Sequence, residues 1–497
     1  MYSKARLGRE REGMHSSPLE TPLRTLALAL ALGACAGAAL AAPATAATAG
    51  CKRSLPVVAH RAGGTAVRLP EGARLPVACA VETGYATSES SLAVSKDGAV
   101  VYSPAGSENS MARSLNGGSS WSLTTPADEQ PTSFWNTVDP WVIADRRTGR
   151  IFWSHATGPV RNENELPEES GFYLAAAYGF QVYSSSDDAK TFTTADYQTA
   201  PTGDWEKVFA GPPPPASTGA AQTVGYPDVV YLCANSPLEV SGPGRLCYKS
   251  LDGGATFAIA GYTSPTASNP QDICPPLNFN TGVVDGQGAI YQPVDCEHAS
   301  YVVVSRDEGA SETWLPEPDA PTGTVTSGTN MKLALDDAGN LYTEWSAGGL
   351  LYMAISRDHA HSWSPPMMVA APGLQDVQLP WIAAGAPGHV ALTYYASSEP
   401  NAERATAYIT QTEDALDPEP LFYSGALNPP SAPIFHDGGL TGGSPRADFI
   451  GGQFDAHGKR FWAGVVKQLG PEVNGHNPTV GLAGTLKFSA ATPPSLP

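Results

Sequence analysis

The chain is short of charge. Of its 497 residues only 15% are Asp, Glu, Lys or Arg, against about 25% in an ordinary soluble domain. Basic residues are the scarcer kind: 29 Lys and Arg face 48 Asp and Glu, for a net charge of −19. So acidic a surface repels phosphate backbones and anionic lipid headgroups, which argues against nucleic acid as a partner. No Cys-x-x-Cys occurs, so neither a zinc knuckle nor a thioredoxin-like redox site is supported. The chain also lacks a Gly-x-Ser-x-Gly elbow, a Walker loop, a Gly-x-Gly-x-x-Gly after a strand and a His-Glu-x-x-His pair. Esterase, NTPase, dehydrogenase and zincin chemistry fall away with them, and no cofactor or metal is called for.

Long apolar runs are missing too, except one. Lys4, Arg6, Arg9, Arg11 and Arg24 precede an Ala/Leu-rich stretch from Leu26 to Ala42, followed by Ala39-Leu40-Ala41 and Ala44-Thr45-Ala46 as small-residue cleavage sites. The run is short for a membrane span. Residues 1–46 therefore read as a signal peptide, and 47–497 as one exported domain without a transmembrane segment. Leu32-Gly33-Ala34-Cys35 offers the alternative of a lipoprotein leader, with the chain anchored through Cys35. Either way the expected location is secreted, extracellular or periplasmic. Loss of the leader takes the net charge from −19 to −21. Cys51, Cys79, Cys233, Cys247, Cys274 and Cys296 remain, an even number in an oxidising compartment. Their order suggests the pairs 51–79, 233–247 and 274–296.

What the chain has in plenty is turn formers and aromatics. Gly and Pro number 51 and 45, with 10 Trp, 19 Tyr and 14 Phe. Tight turns in such number, with enough aromatic surface to fill a core, indicate an all-β protein of many short strands. A repeat supports this. Ser114-Leu-Asn116-Gly-Gly118-Ser-Ser120-Trp121 recurs as Ser185-Ser-Asp187-Asp-Ala189-Lys-Thr191-Phe192 and as Ser250-Leu-Asp252-Gly-Gly254-Ala-Thr256-Phe257. Ser305-Arg-Asp307-Glu-Gly309 reaches Trp314 after an insertion, Ser356-Arg-Asp358-His-Ala360-His-Ser362-Trp363 follows, and Thr412-Glu-Asp414 lacks the aromatic. Asp can accept backbone N–H groups within a turn, Gly supplies positive φ, and the aromatic enters the core.

This motif resembles the Asp-box, the bacterial neuraminidase repeat of sialidase-like β-propellers, across essentially the whole exported chain. The resemblance implies a propeller whose boxes are structural staples on the face away from the ligand. It also implies an arginine triad gripping a sugar carboxylate, an Asp acid/base and a Tyr–Glu nucleophile pair. Val67-Arg68-Leu69-Pro70 resembles the family's Arg-Ile-Pro element, and Arg446 offers a second arginine. A second series of segments between the boxes begins with polar residues and runs into apolar strands. It comprises 88–94, 138–145, 203–209, 278–285, 330–336, 378–384 and 446–450. Seven such strands predict seven blades, with six the alternative. The seventh blade has no box and is expected to use Gly484–Phe488, closed by a strand from the N-terminal part of the exported chain.

Inner strands line a propeller's centre, so the polar residues opening them are the candidates for chemistry. Glu206, Asp139 and Asp204 are the expected catalytic carboxylates, able to flank a glycosidic bond as acid, base or nucleophile. Arg68, Arg446, Asp448, Lys332 and Asn330 are the expected polar substrate contacts. Trp141, Trp205 and Trp381 are expected to stack on sugar faces. Glu89, Asn278 and Asn280 open strands in the same manner. His155 or His457 with Arg446 could serve a lyase, and His359-x-His361 lies in a box turn. The function expected is a secreted, exo-acting glycoside hydrolase, monomeric and acting on extracellular carbohydrate or glycoprotein. A non-catalytic propeller that binds a glycan or protein outside the cell is the alternative.

Overall fold

The computed structural model describes residues 54–488, except 72, 74, 88, 105–109, 127–133, 137–139, 160–178, 196–197, 200–203, 219, 221, 237–243, 264–280, 296–299, 312, 315–330, 401–403, 430, 436–448 and 471–477. The strands fall into seven antiparallel sheets arranged as the blades of a β-propeller. The innermost strands, in order, are Ser90–Val94, Trp141–Ala144, Asp204–Gly211, Val283–Val284, Lys332–Leu335, Asp376–Ala384 and Gly451–Phe454. Each packs against the inner strand of the next blade, and the seventh packs against the first. A parallel bridge between Ser90 and Ile450 closes the ring. Six of the seven overlap the polar-to-apolar segments expected of them, and the seventh begins one residue after its segment.

Ring geometry explains why these strands read as continuous apolar runs. A blade is covered on both faces by its neighbours, so alternation is lost. Val390–Ser397, the second strand of the sixth blade, is buried at seven of its eight residues. Aromatic side chains fill the wedges between blades. Trp153 of the second blade is fully buried, and its indole N–H donates to Ser103 Oγ of the first at 2.7 Å.

Blade closure uses two strands from the start of the described chain. Val57–His60 pairs with Phe422–Ala426 as an added outer strand of the sixth blade. Val77–Glu82 pairs with Thr479–Lys487 in the seventh. The seventh blade therefore takes its fourth strand from the other end of the domain. It has no repeat turn because Thr479–Lys487 is its last strand in the sequence.

The six repeat turns join third and fourth strands of the first six blades, and they share one hydrogen-bond scheme. The Ser or Thr hydroxyl donates to Oδ1 of the Asp or Asn two residues on, at 2.6–3.0 Å. The same Oδ1 accepts the backbone N–H that closes the turn, at 2.8–3.0 Å. In the sixth turn that donor is Leu421, so Asp417-Pro-Glu is an insertion and the aromatic is Phe422. The aromatic expected to be missing is thus present, fully buried between the fifth and sixth blades. Asp252 alone accepts from Ser250, Ala255 and both groups of Thr256. Asp252→Ala is expected to cost about 1–3 kcal/mol, since several donors lose their acceptor at a largely exposed turn. A urea titration of the two proteins reads this directly, and an unchanged midpoint would contradict it.

In five of the six turns the residue after the Asp or Asn takes positive φ, and in three blades it reaches the preceding one. Asp188 accepts from Ser95 at 2.6 Å, Glu308 meets Lys249, and His359 Nδ1 lies 3.4 Å from Asp285. Among the described residues no group of three His, Cys, Asp or Glu gathers at metal-binding spacing. Cys233 and Cys247 stand opposite each other on adjacent strands and are disulfide-bonded, as their order suggested. Cys79 is disulfide-bonded too, while Cys51, its expected partner, and Cys274 and Cys296 lie outside the described residues. Among the described residues no helix is long and apolar enough to cross a membrane.

Candidate functional site

Two faces can be told apart by what they carry. The turns that follow the inner strands lie with the repeat turns, as the Ser95–Asp188 and Asp285–His359 contacts show. The beginnings of the inner strands lie at the opposite end. There, side chains from four blades converge on the axis. Trp141 of the second blade and Trp381 of the sixth meet at 4.8 Å between ring centroids, with Phe449, which leads into the seventh, 5.6 Å from Trp141. Gly451 permits this approach: a Cβ there would sit 3.0 Å from Trp141 Cη2. The Trp381 indole N–H donates to Gly452 O at 2.9 Å.

Lys207 of the third blade enters this aromatic group. Its Nζ lies 4.1 Å from the Phe449 centroid and 5.1 Å from that of Trp141, close enough for the ring faces to attract the ammonium. Glu206, one residue earlier, is fully buried. The strand carries an irregularity between Asp204 and Lys207, the device by which strands re-aim side chains. A second irregularity lies between Gln378 and Trp381, where Leu379 adopts φ 45°. A bulky residue in that region stores about 1–3 kcal/mol and persists where its surroundings hold it. Both inner-strand irregularities thus adjoin a side chain of the axial group.

Two further charged side chains are buried near strand starts. Glu89 precedes the first inner strand and is 2% exposed. Lys332 opens the fifth, directly opposite Glu344, with Nζ 3.8 Å from Oε1 and both side chains buried. Burying charges is costly unless they are paired, and Lys332 and Glu344 offset each other's charge.

Of the expected site residues, the structure brings Trp141, Trp381 and the strand bearing Glu206 together and places Lys332 on the fifth inner strand. The two indoles are 2% and 8% exposed and face each other and Phe449 rather than open solvent. Arg68 is exposed and follows the outer strand of the sixth blade, at the rim. The backbones of Asp204 and Trp205 belong to the third inner strand, and their side chains lie outside the description. Asp139, Asn330, Arg446, Asp448, Asn278 and Asn280 lie outside the described residues. Lys207, Glu344 and Phe449 complete the axial and buried-charge groups without having been singled out. Lys207 could have been found as the neighbour of Glu206, whereas Glu344 carries no signal except its register with Lys332.

His155 belongs elsewhere. It is 3% exposed in the second strand of the second blade, 4.1 Å from Trp153 and edge-on to Tyr183. Neither ring nitrogen has a hydrogen-bond partner, and burial holds its pKa down at about 3. A base so placed stays neutral in the fold but protonates when unfolded, so its contribution is whole above pH 6.5 and is lost as pH falls toward 3. His155→Leu is expected to remove on the order of 4 kcal/mol of acid sensitivity between those limits. Melting curves from neutral to acid pH check this; parallel curves for both proteins would contradict it.

No family profile and no curated protein matches the chain. Among solved structures it is similar to a protein of unknown function from Dyadobacter fermentans, at 12% identity and TM-score 0.41, covering 71% of this chain and 96% of that one. It is also similar to a sialidase from Streptococcus pneumoniae, at 11% identity and TM-score 0.41, covering 84% and 71%. A third is an α-L-arabinanase from Penicillium chrysogenum, at 12% identity and TM-score 0.40, covering 72% and 95%. These likenesses are distant, and the fold rests on the strand pairing described above.

Proposed function

We propose that this protein is a secreted, sialidase-like glycoside hydrolase that removes terminal sugars from extracellular glycans at the end of the propeller where the inner strands begin. The observation that carries the reading is Glu206, a fully buried carboxylate beside an irregular strand segment and one residue from an ammonium held by two aromatic rings. Carboxyls in such settings can hold or release a proton near neutral pH, as acid, base or nucleophile chemistry needs. Asp139 and Asp204 are its proposed partner carboxylates. Trp205, Asn330, Lys332, Arg446 and Asp448 are proposed to bind the sugar. The test is product release from fluorogenic sialosides, arabinofuranosides and uronides by the purified chain. Cleavage of one class that Glu206→Gln abolishes supports the reading; no cleavage of any class counts against it.

A second reading is a propeller that binds extracellular glycan or protein without turnover. The packing of Trp141, Trp381 and Phe449 across the axis favours it, because those rings occupy space a deep sugar subsite would use. Retention on a glycan array with no cleavage of the retained glycan would select this reading.

A further inference from the structure

On the face that carries the repeat turns, two carboxyl groups meet across the seam between the second and third blades. Asp145 ends the second blade's inner strand. Its Oδ1 accepts the Arg147 N–H at 2.9 Å, and its Oδ2 accepts the hydroxyls of Thr148, at 2.9 Å, and Tyr226. Asp228 comes from the third blade, immediately before its second strand Val229–Ser236, and is fully buried. Arg147 Nη1 lies 2.8 Å from Asp228 Oδ1, whereas Oδ2 has no donor and the two carboxyls are within hydrogen-bonding reach of each other.

Two buried carboxylates in contact repel strongly unless a proton lies between them. One guanidinium, itself about half exposed, offsets a single charge. The remaining groups at the seam are already engaged. Arg150 lies over the Tyr226 ring at 5.4 Å and donates to Ser184, and Asp252 in the adjoining repeat turn is committed to Ser250 and Thr256. The Thr148 and Tyr226 hydroxyl oxygens lie 2.8 Å apart, both turned to Asp145.

We propose that Asp228 holds a proton and donates it to Asp145, making this seam a latch that is closed in acid and released as pH rises past neutrality. Burial, and then the Asp145 charge, push the Asp228 carboxyl up to about 7, against an ordinary value of 3.8. A carboxyl with a raised pKa stabilises the fold fully below its unfolded value, and that contribution is lost as pH rises through the folded value. The slope is opposite in sign to that of His155 and spans nearly the same pH window, so the two offset each other in the native protein and are separated by the single variants. Release would free Tyr226 and the segment 222–228 that leads to Asp228.

The experiment compares the native protein with Asp228→Asn, whose amide donates to Asp145 at every pH. Thermal melting and infrared spectra are recorded from about pH 4 to about pH 8, because the linked slope spans the interval between unfolded and folded pKa values. The native protein is expected to show a protonated-carboxyl carbonyl band at low pH, and its folding constant, taken relative to that of Asp228→Asn so that the His155 slope cancels, to fall by up to about tenfold per pH unit between pH 4 and 7. Asp228→Asn should lack both the band and that slope. Asp145→Asn, a donor from the other side, should do the same and serves if the first variant does not fold. Equal slopes and an unchanged band in the variants would overturn the proposal. So would a melting midpoint raised by calcium and lowered by a chelator, which would put a cation where the proton is placed.

Discussion

Glu206→Gln is expected to lower the turnover of a cleaved glycoside about a thousandfold or more, with KM changed little. The amide keeps the volume and most hydrogen-bonding geometry of the carboxylate and loses only its charge and its exchangeable proton. Positioned acid/base groups contribute about 10²–10⁴ in rate, and a lost nucleophile costs at least as much. Glu206→Asp retains the carboxyl and withdraws it by one methylene. It should recover part of kcat and shift the pH–rate profile, which a merely packed glutamate would not do. Matching melting curves for the three proteins separate loss of chemistry from loss of fold. Equal kcat in all three would assign Glu206 to packing and move the chemistry to Asp139 or Asp204.

The second large effect is structural. A chain beginning at Thr83 lacks both strands that close the ring, and it is expected not to fold cooperatively. Val57–His60 and Val77–Glu82 contribute ten residues to ladders with the sixth and seventh blades. They bury Val57, Ala59, His60, Ala78 and Cys79. His60 Nε2 also pairs with Ser424 Oγ at 2.7 Å, the first link of a buried chain through Thr410 to Tyr394. At about 1 kcal/mol per ladder bond and about 1–3 kcal/mol per buried apolar side chain, the loss is on the order of 15 kcal/mol, as large as the whole stability of a typical domain. The edges uncovered on the last strands would invite aggregation. Circular dichroism and size-exclusion of the truncated chain test this; a monodisperse protein with a sharp transition would contradict it.

The blades were legible in the sequence because their signals are local. In five of the six repeat turns the Ser hydroxyl, the Asp or Asn side chain and the closing N–H fall within seven residues, so the chemistry survives in the one-dimensional pattern. The sixth turn shows the limit of that pattern. Three inserted residues moved its aromatic from the expected spacing to Phe422, while Asp414 still accepts from the closing N–H. Closure was partly legible: one N-terminal strand was expected, and three are present, Ser54–Leu55 and Val77–Glu82 on the seventh blade and Val57–His60 on the sixth. The axial group was not legible as a group. Trp141 meets Trp381, and Lys207 meets Phe449, over some 240 positions, a distance that only ring closure spans. Residue type at a strand start indicated which side chains to watch. Whether an indole there stacks on a sugar or on another indole depends on the blade opposite.

The account stands or falls on where a sugar binds. The most direct measurement is a crystal structure of the chain soaked with a slowly cleaved glycoside or an iminosugar inhibitor. The account predicts the ring at the end of the propeller where the inner strands begin, with a Glu206 oxygen within about 2.6–3.2 Å of the glycosidic or anomeric position. A sugar bound only among the repeat turns on the opposite face, with Glu206 still enclosed by protein, would contradict it.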